Sequence, residues 1–154
     1  MIAMPRISRT LLPFILVTGL GQSAWSEPNR VEFPDVDVME HYTTVTRGDV
    51  TEYMYTSREA LAAIREGEPV PPGTQIVLQD WRDGEVYRLF VMQNGEGWGD
   101  EYDTATRTGD WQFQWYWPDG SINMDENTER CRACHQSREG RGYMYTYNDA
   151  RRFE

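Results

Sequence analysis

Period-two alternation of apolar and polar residues dominates the middle of the chain. It is clearest in WQFQWYW, residues 111–117. There Trp111, Phe113, Trp115 and Trp117 fall on one side and Gln112, Gln114 and Tyr116 on the other, the pattern of a strand with distinct faces. Residues 74–81 (TQIVLQDW) and 86–93 (VYRLFVMQ) alternate similarly, and the Arg82-Asp83-Gly84-Glu85 between them predicts a tight hairpin turn. Upstream, 41–47 and 50–56 are β-prone flanks around Gly48-Asp49, and Pro118-Asp119-Gly120 closes the aromatic strand. One segment has helical signals instead: Ser57 as N-cap, Glu59 in the first turn, the apolar run Ala60 to Ile64, and Gly67 as the stop. EPVPPG at 68–73 cannot continue it and reads as a loop. With no repeats or low-complexity segments, these elements predict a mainly β (α+β) domain, an antiparallel sheet with one or two helices. The aromatic face of 111–117 is expected to line both a core and a flat pocket.

The N-terminus changes the picture of compartment. Arg6 and Arg9 precede a short apolar run, Leu11 to Leu20, and Ala24-Trp25-Ser26 offers small residues at the −3 and −1 positions before Glu27. Residues 1–26 therefore read as a cleaved secretory signal peptide, leaving a periplasmic or otherwise exported domain over 27–154. About ten apolar residues broken by Pro13 and Gly19 are too few to span a bilayer. The remaining chain has thirteen arginines against twenty-five acidic residues, a formal net charge of −12. Such a surface disfavours nucleic acid and anionic membrane and suits a basic redox partner or a small neutral ligand. There is no lysine anywhere in the chain.

The chemistry-bearing stretch is TERCRACHQSREG, residues 128–140, which holds both cysteines and one of the two histidines. A Cys131–Cys134 disulfide would close so small a loop that it would be a redox motif rather than a staple. A zinc site would need Cys131, Cys134, His135 and the distant His41, with two ligands adjacent in sequence, a poor basis for tetrahedral closure. Cys-x-x-Cys-His is, by contrast, the attachment sequence of c-type haem. Two thiols three residues apart can add to the two vinyl groups of one haem, and the next residue, His135, then serves as proximal axial ligand to iron. The motif predicts one covalent haem c bound by Cys131, Cys134 and His135.

The late position of this motif in a β-rich chain narrows the choice. A helical-bundle haem protein would need four amphipathic helices, and the sequence signals one. Met144 is the only methionine downstream of the motif, in the strand-like GYMYTY. PPGTQIVLQDW after a helix, Gly97-Trp98, the aromatic strand from Gly109 to Trp117, and CRACHQ followed by YMYT at 143–146 together resemble the cytochrome P-460 and cytochrome c′-β family. The resemblance implies an exported haem protein, often a homodimer, with an antiparallel sheet and five-coordinate iron. One branch of that family cross-links a strand lysine to the haem and oxidises hydroxylamine. The other has no cross-link and binds nitric oxide or carbon monoxide in an apolar pocket. Leu78 aligns with the cross-linking lysine, and a chain without lysine cannot form that bond.

On the resemblance, Leu78 borders the open iron face; Phe90 and Phe113 are the aromatics placed nearest it, with plain core as the alternative for either. Glu96 is the candidate for the carboxylate that one branch uses in proton transfer, although its loop also reads as a solvated acidic turn. His41 reads as a sheet-edge histidine, with sixth-ligand duty as the alternative. Arg132 is expected to face solvent or to pair with a haem propionate. The function expected is binding or detoxification of a small gas such as nitric oxide. The rivals are a hydroxylamine or peroxide oxidoreductase, and a six-coordinate electron carrier with His41 or a methionine on the iron.

Overall fold

The structure is a computed structural model and describes residues 29–154. The expected signal peptide lies outside the described residues. Five strands, Glu40–Arg47 (β1), Val50–Thr56 (β2), Gln75–Arg82 (β3), Glu85–Asn94 (β4) and Trp111–Tyr116 (β5), form one antiparallel sheet in chain order. Two-residue turns set the register of both hairpins. Arg47 pairs with Val50 across Gly48-Asp49, and Arg82 pairs with Glu85 across Asp83 and Gly84. The last two have φ of 51° and 85°, the left-handed pair that a twisted two-residue hairpin requires.

Helix Arg58–Glu66 (α1) has the expected caps. The Ser57 hydroxyl accepts the Ala60 N–H at 3.1 Å, and Gly67 ends the helix at φ 78°. Two further short helices follow, Glu129–His135 (α2) and Tyr147–Arg152 (α3). Seven and six residues are too few to show a 3.6-residue period, which is why the sequence signals only one helix clearly. The segment expected to be strand-like, GYMYTY, is instead a turn leading into α3. Gly142 and Tyr143, at φ 58° and 62°, break any extended path there.

The sheet buries both faces. On one, Met54, Ile76, Met92, Trp111 and Phe113 pack with Leu61 and Ile64 of α1, with Met144, and with Ala150 of α3. On the other, Val77, Leu89, Val91 and Tyr116 pack against Val31 in the segment that precedes β1. The polar side of β5 is therefore covered, not solvated. Gln112 is fully buried; its carbonyl accepts the Arg30 N–H at 2.8 Å, and its amide donates to Glu101 Oε2 at 2.7 Å. Gln93 accepts the Glu32 N–H at 2.9 Å, and the Tyr116 hydroxyl donates to the Val31 carbonyl at 2.6 Å. Glutamines in a strand suggest water. Here they supply partners for the Arg30 and Glu32 backbone of the strap, which pairs with no strand.

Gln112→Leu would take a side-chain partner from the Arg30 N–H and from Glu101, both of which keep some contact with water. It is expected to cost about 1–2 kcal/mol, seen as a lower urea midpoint with an unchanged slope.

Candidate functional site

Helix α2 sets three reactive side chains on one face, because positions 131, 134 and 135 are related by i, i+3 and i+4. Cys131, Cys134 and His135 all line a cavity of about 310 Å³ between α2 and the sheet. Its floor comes from alternate residues of β2 to β5: Met54, Ile76, Leu78, Phe90, Met92 and Phe113. A second cavity of about 260 Å³ shares His135 and most of this floor, and runs toward Val45, Arg47 and Glu52 at one end and Met144 and Tyr145 at the other. Leu78, Phe90 and Phe113, chosen from sequence as pocket residues, are thus brought together with the motif.

His135 is held in one orientation and one tautomer. Its ring lies against Phe113 and Tyr145, with centroid separations of 4.8 and 5.1 Å. Nδ1 is 2.6 Å from the Tyr143 carbonyl oxygen, which can only accept, so Nδ1 carries the proton and donates. Nε2 is left with a free lone pair, the usual arrangement for a metal-binding imidazole. Burial lowers the proton affinity of His135; the bond to Tyr143 opposes this without reversing it. The ring is neutral at pH 7, as a ligand must be.

Both cysteines are free thiols, Cys131 half-buried and Cys134 exposed. Burial pushes the Cys131 thiol up, and a hydrogen bond from Trp115 acts the other way. Among the described residues no group of three or more His, Cys, Asp and Glu is disposed to hold a bare metal ion. What the site offers is two thiols, one oriented imidazole nitrogen, an apolar floor, and the exposed cations Arg130 and Arg47 bordering the two cavities. That set fits a haem: covalent anchors, an axial nitrogen, apolar surface for the ring and cations for its carboxylates.

Three other residues chosen from sequence fall elsewhere. Glu96 is exposed in the loop after β4 and lines neither cavity. The carboxylate that borders the first cavity is Glu126, which precedes α2. Nothing in its DENTE context marks it, because an acidic residue beside a helix start reads as ordinary helix-end chemistry. His41 is exposed on edge strand β1, where it bonds Thr43 and Thr44 and touches Tyr53 and Tyr55. Those tyrosines alternate with Met54, so His41 is on the sheet face away from the cavity. Arg132 is 3% exposed and its guanidinium lies over the Tyr102 ring at 4.1 Å, neither in solvent nor toward the cavity. One position round the helix from Cys131, it faces the loop that holds Tyr102.

No helix among the described residues is long and apolar enough to cross a membrane. The family model described as Cytochrome P460 matches residues 32–146, from the strap before β1 to the turn before α3. No curated protein matches the chain.

Proposed function

Since the chain belongs to the cytochrome P460 family and is thereby a haem c cytochrome, we propose that it is an exported, single-haem binder of small neutral gases, nitric oxide or carbon monoxide. Cys131 and Cys134 would hold the haem covalently, and His135 would ligate iron through Nε2. The bound group supplies an iron atom able to take a neutral diatomic ligand. The residues of the chain do the rest. Tyr143 keeps the imidazole proton on Nδ1, and Phe113 and Tyr145 fix the plane of the ring. Leu78, Met54, Ile76 and Met92 keep the floor of the cavity apolar.

The observation that carries this reading is Leu78, in the cavity, at the position the resemblance assigns to a cross-linking lysine. Met54, Ile76, Leu78 and Met92 offer no hydrogen-bond donor, which favours ligands that need no polarisation and selects them by fit.

A hydroxylamine or peroxide oxidoreductase is a second reading, and Glu126 favours it as a carboxylate able to move a proton at the edge of the cavity. The electron-carrier reading needs a protein sixth ligand. His41 is on the wrong face for that role, whereas the thioethers of Met54 and Met92 line the cavity.

The test is the absorption spectrum of the haem-loaded protein, reduced with dithionite, before and after carbon monoxide. A high-spin spectrum that shifts strongly is the expected result. A low-spin spectrum indifferent to carbon monoxide would overturn the gas-binding reading and assign a methionine to the iron.

A further inference from the structure

The carbonyl that fixes His135 belongs to a residue whose backbone torsion side chains avoid. Tyr143 has φ 62°, in the left-handed region where a Cβ crowds its own backbone. Gly142 before it lies at φ 58°, a torsion that glycine bears without strain. The Tyr143 N–H donates to the Arg138 carbonyl at 2.8 Å, which anchors the near side of the residue. That bond leaves free the torsion beyond Cα, the one that aims the carbonyl at Nδ1 of His135. A strained residue that keeps its aim has to be held from elsewhere.

The hold is on the side chain. The edge of the Tyr143 ring lies so close to Gly109 that a Cβ there would come within 2.9 Å of a ring carbon. The Gly109 backbone N–H also bonds the phenol oxygen, and the phenol donates a long bond to Glu139 Oε1 at 3.5 Å. Gly109 belongs to the loop between β4 and β5, and that loop reaches the haem motif a second time. Gln136, next to His135, donates to the carbonyls of Ala105 and Arg107 at 2.7 and 3.2 Å. Asp110 stiffens the loop by accepting the N–H groups of Gly97 and Gly99 at 3.2 and 3.0 Å. Tyr143 also borders a cavity of about 420 Å³ shared with Val70, Trp111 and Tyr147, so a ring off its seat has room to move.

We propose that Tyr143 is a positioning residue for the axial imidazole: its ring, seated on Gly109, aims the carbonyl that holds the Nδ1 proton, and thereby sets the reduction potential of the haem. A firm bond at Nδ1–H makes the imidazole a stronger electron donor through Nε2, which favours ferric over ferrous iron. The inference rests on His135 ligating a haem, but not on which ligand takes the open side of the iron.

The test is spectroelectrochemical titration of the haem-loaded parent and variants. Tyr143→Ala removes the ring and keeps the strained torsion, so its carbonyl should leave Nδ1. The ferric–ferrous equilibrium should then move about tenfold toward ferrous, or about 59 mV for one electron. Tyr143→Phe, which keeps the ring on its seat, should stay near the parent. Gly109→Ala puts a methyl group in the seat and should shift the potential in the same direction as Tyr143→Ala. In a Tyr143→Gly background there is no ring to displace and no strain at positive φ, so Gly109→Ala should add no further shift. A Tyr143→Ala potential equal to the parent's, a Tyr143→Phe shift as large as that of Tyr143→Ala, or the same Gly109→Ala shift in both backgrounds would each overturn the proposal. The last outcome is the one a merely structural role for Gly109 would give. The spectrum of His135→Gly shows separately whether His135 ligates the iron, and the carbon monoxide response shows whether the iron is open, so each reading fails on its own measurement.

Discussion

Replacing Asp80 by alanine is expected to remove about 2–3 kcal/mol of stability, because a buried carboxylate and its charge-assisted hydrogen bonds are lost while both arginines keep some contact with water. Asp80 is 2% exposed on β3. It accepts Arg82 Nε and Nη2 at 3.1 and 3.0 Å, and Arg88 Nε at 2.8 Å. Removing the carboxylate leaves Arg88, itself half-buried, without its counter-charge. The effect extends to the site. The Arg88 guanidinium lies over Phe90 and Trp115 at 4.7 and 4.4 Å, and both rings wall the cavity below α2. Urea unfolding of the apoprotein measures the loss. Asp80→Asn, which keeps the shape and one acceptor oxygen, should lose less than the alanine variant.

The same carboxylate makes a pH prediction. Burial alone would raise its proton affinity, but the hydrogen bonds and charges of Arg82 and Arg88 outweigh that and hold it below the ordinary carboxylate value. A folded-state value below the unfolded one means that the unfolded chain binds the proton first as pH falls. The stabilisation is thus complete above the unfolded value of about 4 and is lost as pH drops from there through the folded value. Asp80→Asn should therefore show a shallower decline in stability below about pH 4 than the parent. Parallel acid limbs in parent and variant would show that Asp80 is not a source of the acid sensitivity.

The parts of the fold legible in the sequence are those fixed by neighbours along the chain. The Asp83-Gly84 turn, the Ser57 and Gly67 caps and the alternation of β3 to β5 are local, and each appears where its pattern places it. The haem motif is legible for the same reason, since all three side chains lie on two turns of one helix. What escaped depends on distant residues. Gln112 and Gln93 look like solvent-facing strand positions, and only the Arg30–Glu32 strap, more than 60 residues away, turns them into buried partners. Glu126 joins the cavity, and Glu96 does not, because α2 packs on the sheet face that the loop after β4 avoids. Tyr143 in a left-handed conformation, which converts an apparent strand into the turn that presents a carbonyl to His135, has no local signal. That carbonyl is the contact that selects Nε2, and the residue that supplies it could not be read from spacing.

His135→Gly is expected to have the largest effect on the haem site while leaving both thiols in place. Three contacts disappear with the ring: those to Phe113 and Tyr145, and the bond to the Tyr143 carbonyl. The carbonyl faces the space left behind, so added imidazole has both a void to fill and a partner for its N–H. If Nε2 of His135 is the protein's ligand to iron, the reduced spectrum of the haem-loaded variant should differ from that of the parent, and free imidazole should restore it with a saturable dependence on concentration. Rescue should be poorer with 1-methylimidazole, which can ligate through its unsubstituted nitrogen but has no N–H for the Tyr143 carbonyl. A variant whose spectrum matches the parent before any imidazole is added would mean that His135 does not ligate iron. A variant rescued equally by the two imidazoles would keep His135 as ligand and remove Tyr143 from its control, so the two claims are decided by separate readings of one titration.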